Sequence, residues 1–337
     1  MQTMLRAAAL AALALTFPGE AWAQTVCSEN VIRIIVPFPP GGPTDVSARI
    51  LAEKVKDKLG QNVIVESRAG AGGATGTGYV AQQPGNGCTL LLAYDTHAVN
   101  PVLLNLPFDT VKAFKPVVMI GTIPNIIGAH PSQPYKTFAE MVTEAKKETD
   151  KLAYATGGTG TVAHLSMKLI EQRYGMQLRN VPYRGGAPAA ADVVAGHVPM
   201  MVGSVQALGK FVQDGKVRAL VQLGAKRHAQ LPDTPTMDEL GMKGFSSASW
   251  MGIFVPSATP DAIVARFHDD LKAVLGDPWV RERMSSMGVE LSPCSFATGC
   301  RSNPTRIIGS WRQPAKTPRN GGSAMRSSTK RRSRRTT

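Results

Sequence analysis

Residues 32–36, Ile-Arg-Ile-Ile-Val, are almost continuously apolar and are followed by a helical pattern over 44–59, where Val46, Ile50, Leu51, Val55 and Leu59 fall on one stripe. Pro43 stands at the start of that pattern and Gly60 just past its end, the residues that open and close a helix. Another short apolar strand is expected at 63–66, a helix at 75–82 and a third strand at 90–94. Strand, helix, strand, helix, strand predicts a parallel sheet covered on both faces. The alternation then resumes. Strands are expected at 117–120, 152–156, 178–181, 199–203 and 219–223, with helices at 137–147, 162–174, 188–195 and 207–214 between them. A strand at 250–255 and a helix at 260–275, with Ile263, Phe267, Leu271 and Val274 at helical spacing, return the chain to the first unit. The reading is two doubly wound α/β domains with a cleft between them. Domain 1 is expected over 24–123 plus 247–293, and domain 2 over 124–246.

Length and composition agree with two domains. The chain has 337 residues, 43% hydrophobic and 18% charged, a folded composition rather than a disordered or collagen-like one. Its net charge of +14 is concentrated at one end: residues 294–337 hold eleven Lys and Arg and no Asp or Glu, which leaves 27 bases against 24 acids before them. The folded body is nearly balanced, so a basic nucleic-acid-binding core is excluded.

Arg6, the apolar run 7–15 and Ala21-Trp22-Ala23 read as a secretory signal over 1–23, with export to an oxidising compartment. Gln24 follows, so there is no Cys to carry a lipid anchor, and no other run approaches the roughly 18 apolar residues needed to cross a bilayer. Cys27 and Cys88 precede the first and third strands. Neighbouring parallel strands place both thiols at one sheet edge, which predicts a Cys27–Cys88 disulfide, the alternative being two free thiols.

Two strand-to-helix turns carry the candidate chemistry. In Pro37-Phe38-Pro39-Pro40-Gly41-Gly42-Pro43-Thr44-Asp45 the glycines admit close backbone approach, and the unpaired amides of the helix start attract an anion; a merely rigid turn is the alternative. Tyr154-Ala155-Thr156-Gly157-Gly158-Thr159-Gly160-Thr161, ahead of the helix bearing His164, repeats the device in the second unit. The glycines of 70–78, with Asp95 beyond them, resemble a dinucleotide loop, but their spacing fits G-x-G-x-x-G poorly and nucleotide binding is set aside. His97, His164 and His197 form no metal or nucleophile motif, and no cofactor or metal is expected. Tyr183-Arg184-Gly185, leading to Asp192, either reaches the cleft or forms an exposed loop.

Taken in order, Ile32 to Gly42, Gly70 to Gly73, Tyr154 to Gly157, Thr161 with His164-Leu165, Val181-Pro182-Tyr183-Arg184-Gly185, Gly215-Lys216-Val217-Arg218-Ala219-Leu220 and Leu231-Pro232-Asp233-Thr234-Pro235-Thr236 resemble the substrate-binding proteins of tripartite tricarboxylate transporters, the Bug family. The resemblance runs over about 31–292. It implies a periplasmic Venus-flytrap fold and a monomeric receptor. That receptor captures a small carboxylate and presents it to an inner-membrane permease, with no catalysis and no nucleic-acid partner. It also implies a ligand set of Phe38, Pro40, Gly41, Gly42, Thr44 and Asp45 from the first turn and Thr156, Gly157, Gly160, Thr161 and His164 from the second. Tyr183, Asp192, Ser204 and, in the loop after the third strand, Thr96 and Asn100 complete it. Arg184 stands where members of the family commonly have Lys. The alternatives are a secreted hydrolase or isomerase using Asp45 or His164 as a base, and a sensory partner of a membrane kinase. Beyond Pro293 the family's amphipathic C-terminal helix is missing and the chain turns basic. A frameshift near codon 293 is the favoured reading, an evolved basic tail the other. Resequencing the gene across codons 285–300 is expected to restore the family's continuation; a clean read in the present frame shows the tail to be genuine.

Overall fold

The computed structural model describes residues 25–147 and 151–294. The signal reading at 1–23 and the basic segment after Cys294 lie outside them. β1 (Val31–Val36) runs through the first turn into α1 (Pro43–Leu59), which returns the chain to β2 (Asn62–Ser67). A single 3-10 turn (Ala71–Gly73), α2 (Ala74–Ala81), β3 (Thr89–Tyr94) and α3 (Thr96–Leu103) follow. β1 pairs in parallel with both β2 and β3. Ile32, Ile34 and Val36 pack with Leu51 and Val55 of α1 on one side, while Ile35 packs with Leu91 and Val80 on the other. Burial on both faces explains why these strands read as unbroken apolar runs.

β4 (Phe114–Ala129) is the spine of the molecule. Its residues from Phe114 to Pro124 pair antiparallel with β9 (Ala248–Pro256), and those from Asn125 to Ala129 pair with β7 (Met200–Ser204) and β8 (Arg218–Gln222). The first sheet has the order β2-β1-β3-β9-β4, with β10 (Glu290–Cys294) against β4; the second continues through β7, β5 (Ala153–Thr156) and β6 (Arg179–Pro182). Each sheet with its helices forms a lobe. At the crossing the Asn125 amide meets Ser247 O at 3.5 Å and Asn125 O accepts from Leu223 N–H at 2.8 Å. The second lobe carries α4 (Phe138–Lys147), α5 (Val162–Tyr174), α6 (Gly186–Val194) and α7 (Val205–Gln213). α8 (Asp261–Gly276) and α9 (Pro278–Ser286) return to the first, where Phe267, Leu271 and Val274 join the core beside Leu51.

Three expectations need correction. A wholly parallel sheet holds only for β2-β1-β3 and for β6-β5-β7: β4 carries the chain out to the second lobe and β9 brings it back, so the two run antiparallel. β4 spans 16 residues rather than four; Pro116, Gly121 and Pro124 hide it, and its register shifts mark bulges that tolerate such residues. Gly121 is required there, because a Cβ would stand 2.4 Å from Glu290 O of β10. The segment after β3 is a helix, not a loop, masked by its shortness and by Pro101 within it.

Cys27 and Cys88 are bonded, with Arg33 N–H of β1 donating to Cys88 O at 2.8 Å. The bridge ties the segment before β1 to the start of β3 across 61 residues. Reducing it, or substituting Cys27→Ala with Cys88→Ala, is expected to lower unfolding free energy by about 2–4 kcal/mol. A urea midpoint that does not move with reductant contradicts this.

Candidate functional site

Five helices begin at the same opening. The residue preceding the first turn is Gly42 in α1, Asp95 in α3, Thr161 in α5, Gly185 in α6 and Ser204 in α7, and all five line one cleft between the lobes. The cleft spans about 620 Å³ of space between the lobes, open solvent at its mouth included. The first amides of a helix have no partner within it and carry the positive end of its dipole. Thr161 Oγ1 and Ser204 Oγ accept from His164 N–H and Ala207 N–H, each at 3.3 Å, so one amide of each first turn is capped; in α5 the Val162 amide also faces the Asp95 carboxyl. Amides from both lobes facing one cavity suit a small anion.

Of the residues expected at the site, Phe38, Pro40, Gly42, Thr44, Gly157, Thr161 and Ser204 line the cleft. Others stand behind it and hold the turns. Asp45, 3% exposed, accepts from Gly41 N–H at 3.0 Å, Arg49 Nε at 2.9 Å and Ser67 Oγ at 3.2 Å. Burial raises its pKa, but these partners outweigh it and keep the carboxyl below the usual range. His164 Nδ1 accepts from Gly160 N–H at 3.2 Å, which puts its proton on Nε2. Burial, with Lys168 nearby, lowers its pKa and keeps it neutral. Thr156 Oγ1 donates to Asn180 Oδ1 at 2.9 Å. Asn100 Nδ2 donates to Gly72 O at 3.0 Å, and Thr96 is buried at the start of α3. Tyr183 donates to Asp192 Oδ2 at 2.5 Å, with His197 Nδ1 3.4 Å from Oδ1, a chain along α6 outside the cleft lining.

The glycine-rich stretch has a packing explanation. A Cβ on Gly76 would lie 2.9 Å from Pro37 Cα and 2.8 Å from Arg68 O, so glycine lets α2 press against the end of β1. His97 belongs to the core, its ring 5.3 Å from that of Phe114 and 5.0 Å from that of Phe254, and burial lowers its pKa to about 4. Among the described residues no group of three His, Cys, Asp or Glu is placed to hold a metal.

The family model of the tripartite tricarboxylate transporter family receptor matches residues 47–296, about three quarters of the chain. BugT of Bordetella pertussis is 34% identical over 76% of this chain and 80% of its own length. Two solved structures from Rhodopseudomonas palustris superpose closely. Rpa4515 with adipate has a TM-score of 0.78 at 28% identity, covering 83% of this chain and 94% of its own. MatC with bound malate has 0.76 at 29%, covering 83% and 95%. This chain belongs to the tripartite tricarboxylate transporter family of receptors. Its fold is the mixed α/β fold of periplasmic binding proteins, and the hydrolase or isomerase alternative falls: a family receptor binds its ligand without transforming it.

In this receptor the floor of the cleft is built by residues that sequence reasoning did not assign to the site. Tyr94 ends β3 and Asp95 follows it, Asn125 marks the crossing in β4 and Ser249 is the second residue of β9; all four line the cleft, with Arg184 at its side. Ser249 Oγ donates to Asp95 Oδ2 at 2.6 Å and lies 3.3 Å from Asn125 Nδ2. The signal was positional: the carboxyl ends of strands at a topological switch point are where ligands sit in open α/β sheets. Asp95 has no exposed surface. Burial pushes its carboxyl up to about 6, against the lowering effect of Ser249 and of the Val162 and Thr96 amides. The folded state therefore holds this proton more tightly than the unfolded chain, and stability falls as pH rises from about 4 through 6. Asp95→Asn removes that cost. It is expected to raise the thermal midpoint over the parent by a few degrees at pH 7.5, the gain closing below about pH 4. An equal or lower midpoint at pH 7.5 contradicts a strained carboxylate.

Proposed function

We propose that this receptor works as a periplasmic monomer that closes its two domains, 24–123 with 247–293 and 124–246, on a small dicarboxylate. It then hands the acid to a tripartite tricarboxylate permease in the inner membrane. The observation that carries the reading is the convergence of helix starts from both lobes on one cleft. MatC with malate and Rpa4515 with adipate support a dicarboxylate, and the signal-like 1–23 segment supports the compartment. The first carboxylate lies on the turn formed by Phe38, Pro40, Gly41, Gly42 and Thr44, whose shape Asp45 maintains. Domain 2 closes over it with Gly157, Gly160, Thr161 and Ser204. Thr156, His164, Thr96 and Asn100 fix the turns, and Tyr183 with Asp192 stiffens the edge of α6. Binding rests on charge-assisted hydrogen bonds in a closing cleft. Neither a cofactor nor nucleic acid takes part.

Cross-lobe contacts support closure with the two turns in register. Gln206 Nε2 of α7 donates to Pro43 O at 3.2 Å, and a Cβ on Gly185 would lie 3.4 Å from Pro39 Cδ, so the two turns meet with little room for side chains. The test is thermal unfolding of the exported chain against malate, succinate, adipate and citrate at pH 7.5. One or more diacids should raise the midpoint with concentration, by about 2.7 kcal/mol of added stability at a hundredfold excess over Kd, and be recovered unaltered. A folded sample unmoved by every acid, or a chemically altered ligand, contradicts the proposal.

A further inference from the structure

We propose that Asp95 sets the ligand class: the cleft prefers a dicarboxylate bearing a hydroxyl or ammonium group, whose hydrogen is received by Asp95 Oδ1, over the unsubstituted diacid. The proposal rests on the carboxylate reading of the cleft and narrows it. It follows from the hydrogen-bond census of the floor. Ser249 spends its hydroxyl proton on Asp95 Oδ2, and Asn125 Nδ2 is turned toward Ser249. Ser204 Oγ caps α7 by accepting from Ala207 N–H, while the Tyr94 hydroxyl faces Ser249 and Ser204. Asp95 Oδ1 is left over: it is buried, belongs to a cleft-lining residue and has no hydrogen-bond partner. The Thr96 and Val162 amides lie near enough to ease its charge without closing a bond to Oδ1.

An unpaired buried acceptor is costly, and a ligand supplying a donor removes that cost. The same oxygen disfavours a ligand that brings a second carboxylate against it, since like charges in a dry cavity repel strongly. The site thus has two poles. Helix starts at Gly42, Thr161 and Ser204 take the first carboxylate, and the guanidinium of Arg184, whose fork suits a carboxylate, is available to the second. Asp95 sits on the floor between β3 and α5 and reads what the ligand carries along its length. A hydroxyl or ammonium on the ligand's carbon chain is the group that meets it without bringing a carboxylate there.

Calorimetry at pH 7.5 on the full exported chain tests this with matched probes: succinate, L-malate and L-aspartate, then glutarate, 2-hydroxyglutarate and L-glutamate. In the better-fitting series at least one donor-bearing acid should bind about ten- to a hundredfold tighter than the plain diacid, as expected for a hydrogen bond to a charged acceptor. Asp95→Leu, which removes both oxygens and keeps the branched shape with bulkier methyls, should bring the series within about threefold. Asp95→Asn, which keeps one acceptor but loses the charge, should lose the ammonium preference more than the hydroxyl preference. Plain diacids binding as tightly as their substituted partners in both series overturn the proposal, as does an Asp95→Leu protein that keeps the full preference. If Asp95→Leu does not fold, the parent series and Asp95→Asn decide. A folded parent that binds none of the six acids overturns the carboxylate reading itself, and this proposal with it.

Discussion

Everything else in the molecule is arranged so that five helices can begin at one place. Each start leaves amides unpaired and contributes the equivalent of roughly half a positive charge, and the cleft they share holds that potential away from bulk water. The sheets make this possible. In each lobe the parallel strands end on the same side, and β4 and β9 join the two sheets so that both sets of ends face one another. An anion site assembled from backbone needs no buried arginine, whose desolvation would have to be met whether or not a ligand was bound. It demands instead that the turns be held in shape without a ligand.

That demand explains a division of labour among the polar residues around the cleft. Asp45 anchors the first turn through Gly41 and ties it to Arg49 of α1 and Ser67 of β2. His164 and Asn100 secure the glycine turns at Gly160 and Gly72, and Thr156 secures the end of β5. These side chains give polar atoms to their own protein, so they preorganise the amides, and ligand binding need not order the loops. Asp95 is the exception. Buried and incompletely paired, it costs stability, and such a residue is characteristic of a binding site.

Much of this was legible along the chain. The stripe on α1, its opening Pro43 and its closing Gly60 announced that helix and its core face, and the two glycine turns announced the amides that line the cleft. Cys27 and Cys88 declared their pairing because both precede neighbouring parallel strands. What stayed hidden depends on distance in sequence. Asn125, Ser249 and Asp95 meet only because β4 and β9 cross between lobes, and no local pattern records that pairing. For Asp45 and His164 the chain does not record the bonds to Gly41 and Gly160, because polar residues next to anion-binding turns suit both touching a ligand and bracing a loop. The length of β4 was concealed by Pro116, beside a bulge, and by Pro124, where the strand passes from one sheet to the other.

The most direct test is a crystal structure of the receptor with a bound diacid such as malate. The account predicts one carboxylate within about 2.7–3.2 Å of amides at the starts of α1 and of at least one helix of the second lobe, α5 or α7, with the lobes closed over it. A ligand held by side chains of one lobe alone, its carboxylates turned away from those helix starts, would contradict it.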